Sequence, residues 1–460
     1  MNIVIAGGGV SGQTLAKELS DEGGDIVLIE QDPELLEKII GRIDITGLAG
    51  NAASPKNLLE AGVKDADIYI SVTSSDEINL ISAIMARSIG AKFTVARVRN
   101  PDYTHNHMEH GQRDLSQDLG INMLINPEQV AAQDIAQMIK FPQANSVEYF
   151  SFNRVTLIEL HVKESSPLNG MTLRRFGQTY KDVLLITITR RDAVLVPGGN
   201  ASIEGGDNIF VIGSRPDVNS FYKKAGYRKE RIHNSMIIGA SDIAYYLIDY
   251  LNINHVDVKM VCQTYEEALK FSEDFPKAVI VHGDTSDQDF LKEERLGTYD
   301  SVISLSKYDE ENILNSLYAL SLDVDKVVAK VSNVSLLKIL GELELHSIVT
   351  PKYIMTNRIL KFVRSLTERS TSSVEALIRI ADNNVEVMQF LVKDSSRIIG
   401  VPLQELNLQE NTLVAFVSRK NELIIPRGPN SIQAGDHVIV ATTLPHVEDI
   451  DDFLMDSEEE

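Results

Sequence analysis

The sequence predicts an α/β chain in which a doubly wound parallel-sheet domain is followed by a small α+β domain, the pair then being repeated in tandem. Three observations lead there. Blocks of the first half recur in order in the second; each half opens with an apolar strand, a small-residue turn and an amphipathic helix; and each half closes on a strand pattern rich in Gly, Pro and Asp. A chain of 460 residues also exceeds what one core organises, since domains run to roughly 100–200 residues.

The opening element, IVIAGGGVSGQTLAKEL at 3–19, is echoed by MIIGASDIAYYLIDYL at 236–251, which lays Gly7 over Gly239. At the same offset DIVLIEQ from Asp25 overlays DVKMVCQ from Asp257, the second strand of a βαβ unit. With the offset longer by one residue, Gly50 meets Gly283, Asp67 meets Asp300, Thr73 meets Ser306 and Asn79 meets Asn312, and ARV at 96–98 meets AKV at 329–331. IYISV and VISL are short, continuous and apolar, as strands buried on both faces of a parallel sheet are, so each half is expected to start as a Rossmann-like domain. Further on, LVPGGNASIEGGDNIFVIG at 195–213 matches IIPRGPNSIQAGDHVIVAT at 424–442, pairing Pro197 with Pro426 and Asp207 with Asp436. Upstream, HVKESSPLNGMTLRRF pairs with LVKDSSRIIGVPLQEL, and each predicts a helix start. The expected domains are 1–144 and 232–370, both Rossmann-like, and 145–231 and 371–460, both small and β-rich.

Composition narrows the function classes. Hydrophobic residues at 43% and charged residues at 24% predict a chain folded throughout. One cysteine, Cys262, allows no internal disulfide and no thiolate-rich metal site, and suits a reducing compartment. MNIVIAGGG runs straight into a strand without the basic start of a signal peptide, and no apolar run reaches the 18 or so residues that span a bilayer, so a cytoplasmic chain that does not insert into membrane is expected. A net charge of −22 repels nucleic-acid phosphates and anionic lipid heads. The closing DSEEE reads as a solvated acidic tail.

Gly7, Gly9 and Gly12 form GxGxxG between a strand and a helix. The first glycine permits the tight turn, the second lets the backbone approach a phosphate, and the third lets the helix pack on the strand, leaving amides from Gly8 through Val10 to Ser11 aimed at an anion. A glycine-rich turn without a ligand would satisfy the same motif. Glu30, at the carboxyl end of the second strand, sharpens the reading: a carboxylate there accepts from ribose hydroxyls and repels a 2′-phosphate, which points to NAD(H) or an adenosine nucleotide. Thr73, Ser74 and Asp76 follow the fourth strand on the same edge, where SSDE can also cap a helix. Arg97 closes the fifth strand, placed to neutralise phosphate or to serve as an ordinary salt-bridge partner.

The second copy departs from this pattern. Gly9 becomes Ser241, Gly12 becomes Ala244, Glu30 becomes Cys262 and Arg97 becomes Lys330. A second site drawn from Gly239, Ala240, Ser241, Asp242, Ile243, Cys262, Ser306 and Lys330 would bind more weakly or take another ligand. Cys262 then reads as a degenerate ribose position, since no base is recognisable beside it. Neither small domain offers a catalytic constellation. His105, His107 and His110 crowd together with Glu109, yet a polar connection of this kind is more simply solvent-exposed than metal-binding. An NAD-dependent oxidoreductase remains the competing class, although it would need a larger lid than some 85 residues supply. A transcription regulator would need a basic recognition helix, and none stands out.

IAGGGVSGQTLAKEL, VLIEQD, GNAASPKNLLEAGVKDADIYISVTSSDEIN and VARVRNP, with HGDTSDQDFL and KYDEENIL in the second half, resemble over nearly the whole chain the peripheral nucleotide-binding subunits of bacterial Trk potassium-uptake systems, built from two repeats of the regulator-of-potassium-conductance (RCK) type. The resemblance implies a regulator that binds NAD(H) or ATP/ADP and gates a membrane potassium translocator of the TrkH/TrkG type. It implies a homo-oligomer, a tetrameric ring, held peripherally at the cytoplasmic face of the inner membrane through that partner. It makes Gly7, Gly8, Gly9, Val10, Ser11, Gly12, Glu30, Thr73, Ser74 and Arg97 nucleotide contacts. Asn51 falls at a contact position where the family commonly has Asp, which leaves the contacts made there open.

Overall fold

The computed structural model describes residues 1–100, 103, 115–142, 144–150, 154–191, 193–195, 201–227, 232–333, 336, 345, 347–367, 374–381, 384–420, 422–444, 447 and 449–455. The histidine cluster at His105, His107 and His110, Pro197 and the acidic tail lie outside the described residues.

In the first repeat, β1 (Asn2–Ala6), β2 (Asp25–Glu30), β3 (Thr46–Ala49), β4 (Ile68–Ser71), β5 (Phe93–Arg97) and β6 (Met123–Ile125) form one sheet in the order β3-β2-β1-β4-β5-β6. All its pairings are parallel. Chain order reverses between β1 and β4, so the carboxyl ends of these strands open a crevice at the switch point. β4 is buried at all four positions, and Tyr69 from its centre packs among Val4, Ala83 and Ala96 of the same core.

β7 (Ala144–Phe150), β8 (Val155–His161), β9 (Val183–Arg190), β10 (Ala193–Leu195) and β11 (Asn208–Ser214) follow as an antiparallel sheet. The second repeat rebuilds both sheets. β12 (Asn234–Ile238), β13 (Asp257–Cys262), β14 (Val279–His282), β15 (Ser301–Ser304), β16 (Lys326–Lys330) and β17 (Ile348–Val349) are parallel in the order β14-β13-β12-β15-β16-β17. β18 (Val374–Ile380), β19 (Val385–Leu391), β20 (Thr412–Arg419), β21 (Glu422–Ile424) and β22 (His437–Thr442) are antiparallel, in the order β18-β19-β22-β20-β21. Read from β7, the first small sheet runs β7-β8-β11-β9-β10, the same topology.

The repeats interleave. One compact unit gathers Met1–Ala136 with His233–Val363, the two parallel sheets; the other gathers Gln137–Ile232 with Arg364–Glu460, the two antiparallel sheets. Within the first unit, helix Pro127–Lys140 of the first repeat meets helix Asp242–Ile253 of the second: Asn126 Nδ2 donates to the Tyr246 hydroxyl at 3.0 Å, and Gln133 Nε2 to the Tyr250 hydroxyl at 2.8 Å. Arg358, on helix Pro351–Thr367, pairs with Asp134 at 3.3 Å. Within the second unit, a single apolar cluster takes Val155, Ile186 and Phe210 from one sheet and Val387, Phe416 and Ile439 from the other.

One of the two helix starts expected in the small domains does not form. Leu173–Thr179 is helical, with the Thr172 hydroxyl accepting from Arg175 N. At the matching place in the second repeat Pro402 stands for Thr172 and has no hydroxyl to cap with. The chain makes only a turn, and the amides of Leu403 and Gln404 donate to Asn430 O and Gly428 O. The paired aspartates have a shared role. Asp207 accepts two hydrogen bonds from Arg190 and Asp436 two from Arg419, each guanidinium also donating to a backbone carbonyl, of Ser202 and Ser431 respectively. Both carboxylates are about 1% exposed. Removing the carboxylate strips the acceptor from a partly exposed guanidinium and from the amide of Glu204 or Gln433, so Asp207→Ala and Asp436→Ala should each cost about 2 kcal/mol, read as an earlier unfolding midpoint in urea.

Candidate functional site

A cleft of about 340 Å³ opens at the carboxyl edge of the first parallel sheet. Its floor is the glycine turn, where the three glycines do three different things. Gly7 has φ +103°, and a Cβ on it would meet Thr73 Cα at 2.9 Å, so both conformation and space demand glycine. Gly12 presses on Gly7 O so closely that no Cβ fits. Gly9, in contrast, faces nothing within 4 Å. It is the N-cap of helix Val10–Asp21 and carries no capping side chain, so the first amides of that helix are left for another acceptor. Val10, 59% exposed, adds an apolar contact at the rim.

Glu30 ends β2 beside this turn. Its Oε2 accepts from Gly8 N and its Oε1 from Asp32 N, which fixes the carboxylate and still leaves each oxygen a lone pair. The expected free Gly8 amide is thereby occupied, and Gly8, like Gly12, is not among the lining residues. Asn51 lines the cleft, its Oδ1 accepting from Ala53 N at 2.8 Å.

The opposite strand ends are organised by Asn79, fully buried in helix Asp76–Ile89. Its Oδ1 accepts from Thr73 N and Thr73 Oγ1, and its Nδ2 donates to Thr73 O and to Arg97 O, tying the end of β4 to the end of β5. Ser74 is exposed at the cleft, and the helix cap is its neighbour Ser75, which accepts from Ile78 N. Asp76 accepts from Arg99 N and Asn100 N, bracing the segment after β5. Arg97 is 6% exposed; one terminal nitrogen donates to Thr73 O, while its Nε is buried with no hydrogen-bond partner. Burial, and then Arg99 beside it, push the Arg97 guanidinium below its ordinary value, against Asp76 and Glu128, which hold it up.

Gly7, Gly9, Val10, Ser11, Glu30, Asn51, Thr73, Ser74 and Arg97, all expected from sequence, line this one cleft. Two cations were not expected there. Arg99 lies just beyond β5 and pairs with Glu128 at 3.7 Å. Lys352, in the first turn of helix Pro351–Thr367, comes from the other repeat. The signal that could have found it is the match between NPEQV at 126–130 and TPKYI at 350–354, where the residue after proline changes from Glu to Lys.

The second repeat keeps the scaffold and alters the ligand face. Gly239 has φ +100° and abuts Ser306 as Gly7 abuts Thr73, and Asn312 repeats the Asn79 bonds to Ser306 and Lys330 O. Ser241, in the place of Gly9, turns its hydroxyl to Ala244 N, using an amide that the first repeat leaves open. Asp242 and Ile243 then begin the helix, after Ala240. Cys262 is fully buried, and burial followed by Glu267 pushes its thiol up to about 12. Burial also pushes the Lys330 ammonium down, against Asp309 and Glu128, which hold it up.

A TrkA-N domain family model matches residues 3–127 and 235–351, and a TrkA-C domain model matches 157–226 and 387–455. Among solved structures, the GsuK RCK domain aligns with a TM-score of 0.62 at 16% identity, covering 96% of this chain and 92% of that one. A GsuK channel bound to NAD aligns with a TM-score of 0.62 at 15% identity, covering 96% of this chain and 76% of the other. Fold and cleft therefore define a chain of tandem RCK-type repeats. The Trk system potassium uptake protein TrkA homolog of Archaeoglobus fulgidus is 30% identical over 99% of this chain and 100% of its own. The Trk system potassium uptake protein TrkA of Haemophilus influenzae is 28% identical over 96% and 95%. The chain belongs to the TrkA family of Trk system potassium uptake proteins.

The glycine geometry separates folding from binding. Gly9→Ala should melt within a degree or two of wild type, whereas Gly12→Ala, colliding with backbone, should lower the thermal midpoint by several degrees, about the effect of 1–3 kcal/mol of overpacking. At pH 8 the Cys262 thiol should resist an alkylating reagent in the folded protein and react fully once the chain is unfolded, since its raised titration keeps it protonated.

Proposed function

We propose that this chain is the nucleotide-binding regulatory subunit of a bacterial potassium-uptake system, and that NAD(H) or ATP/ADP in the first-repeat cleft sets the activity of a membrane translocator of the TrkH/TrkG type. The observation that carries the reading is the pairing of an open glycine turn with the fixed Glu30 carboxylate on one strand edge. The open amides of Val10 and Ser11 take a phosphate, Glu30 accepts from the ribose hydroxyls, and Asn51, Thr73 and Ser74 border the nucleoside. Gly8 and Gly12 shape the turn. Support for a dinucleotide comes from the GsuK channel of the same fold, which is bound to NAD.

In this reading the protein is a homo-oligomer, a tetrameric ring, attached to the cytoplasmic face of the inner membrane through its partner. No helix of the described residues is long and apolar enough to cross a membrane, and the net charge of −22 disfavours anionic lipid. The ring binds no nucleic acid. A ligand biases gating only through unequal affinity for two arrangements of the domains. The small domains are read as recognition modules, the four domains meeting near 145, 232 and 371. The second-repeat positions around Ser241 and Cys262 are read as a weaker site. The protein is read as a non-enzyme; nucleotide-dependent turnover of a substrate would return the oxidoreductase reading.

The test is titration of the purified protein with NADH, NAD, ATP and ADP. Glu30→Ala and Gly9→Asp should each weaken binding about tenfold or more, the loss of one hydrogen bond to a charged group or the gain of a repulsive one. Wild-type affinity in both variants would remove the cleft from consideration. Potassium flux through the reconstituted translocator should change on adding the nucleotide and should cease to respond in Gly9→Asp.

A further inference from the structure

We infer that the first-repeat site is completed by the second repeat: Lys352 binds the phosphate beyond the one held at the glycine turn, so the site selects nucleotides with at least two phosphates and closes only on the docked pair of parallel-sheet domains. The inference rests on the nucleotide reading of the cleft and adds to it which part of the ligand is recognised and by which repeat.

Lys352 is exposed, lines the cleft, and its ammonium makes no ion pair or hydrogen bond among the described residues. It stands at that cleft with Arg97, whose buried Nε is also without a partner, and with Arg99. Three cations gathered at one cleft of a chain carrying −22, of which Arg99 alone has an ion-pair partner among the described residues, at 3.7 Å, are a local reversal of the protein's charge. Their unused donors match the acceptor oxygens of a polyphosphate. The glycine turn and the cations arise from different strand ends and from different repeats, so one phosphate on the helix amides leaves Lys352 for the next.

The reciprocal position carries the opposite charge. Glu128 follows Pro127 at the start of its helix as Lys352 follows Pro351, and it acts electrostatically on Lys330 and Asp242, the second-repeat counterparts of Arg97 and Val10. Helix Pro351–Thr367 thus brings an ammonium to the first site, while helix Pro127–Lys140 sets a carboxylate that acts on Arg99 and Arg97 of the first repeat and on Lys330 of the second. A carboxylate there competes with phosphate for Lys330. Glu128 also holds Arg99 at 3.7 Å, so a ligand phosphate that takes Arg99 must displace the same carboxylate. The two repeats are then tied by the ligand as well as by the Asn126–Tyr246 and Gln133–Tyr250 hydrogen bonds.

The test compares AMP, ADP, ATP and NADH by calorimetry on the full chain, in wild type, Lys352→Ala, Lys352→Glu, Lys352→Arg and Glu30→Ala. Lys352→Ala should leave AMP within about twofold and weaken ADP, ATP and NADH about tenfold. Lys352→Glu should weaken them further, and Lys352→Arg should restore most of the affinity. Glu30→Ala should weaken all four, AMP included. Wild-type ADP and ATP affinity in Lys352→Ala, with Glu30→Ala still impaired, overturns the role of Lys352 and leaves the nucleotide site standing. Equal losses for AMP and ATP in Lys352→Ala overturn it as well, as a general disturbance of the cleft. Wild-type binding in Glu30→Ala overturns both readings together.

Discussion

A buried asparagine sets the edge on which everything else in each parallel-sheet domain is built. Asn79 reaches from a helix to two neighbouring strand ends, accepting from the Thr73 amide and donating to the carbonyls of Thr73 and Arg97. Asn312 does the same for Ser306 and Lys330. A buried side-chain amide used on both sides has no cheaper alternative, because losing one partner leaves a desolvated donor or acceptor. The spacing of the strand ends is therefore fixed before any ligand arrives. Gly7 and Gly239 lean on that edge, against Thr73 and Ser306, so the turn that begins each nucleotide-type motif is positioned by the asparagine that braces the neighbouring strand.

On this shared edge the two repeats diverge at the ligand face alone. Gly9, with open space before it, becomes a serine that caps its own helix; Glu30, held by two amides, becomes a buried thiol. Each change removes an acceptor or donor that a nucleotide would use and replaces it with an internal contact. The scaffold residues, by contrast, keep their partners. The Arg190–Asp207 and Arg419–Asp436 pairs in the small domains repeat down to the carbonyl that each guanidinium also serves.

Much of this was legible from sequence, for physical reasons that vary by feature. Buried parallel strands announce themselves as short apolar runs, and the sheet order follows once the helices between them are seen. Gly7, Glu30, Thr73 and Arg97 could be gathered into one site because they all sit at strand ends on the same edge. Lys352 could not, because its place depends on a helix crossing from the other repeat, and no local pattern encodes that crossing. The pairing of like sheets with like was hidden for a similar reason: Phe210 and Phe416 read as core residues of their own domains and instead meet in a common cluster. The missing helix at 402–406 shows the opposite error. Similarity of the blocks outweighed a local rule, although Pro402 cannot supply the hydroxyl that Thr172 does.

The pairing of the two parallel-sheet domains in one compact unit has a consequence rooted in symmetry. Two identical single-repeat chains meeting in this way would form an isologous dimer, in which whatever one partner offers its neighbour it also receives. Both crossing helices would then begin with lysine or both with glutamate, and the two clefts would be charged alike. Joining the partners in one polypeptide lifts that requirement, because position 128 and position 352 are separate letters of the same sequence. A fused pair can keep one cleft cationic and make the other acidic without disturbing the packing that holds them together.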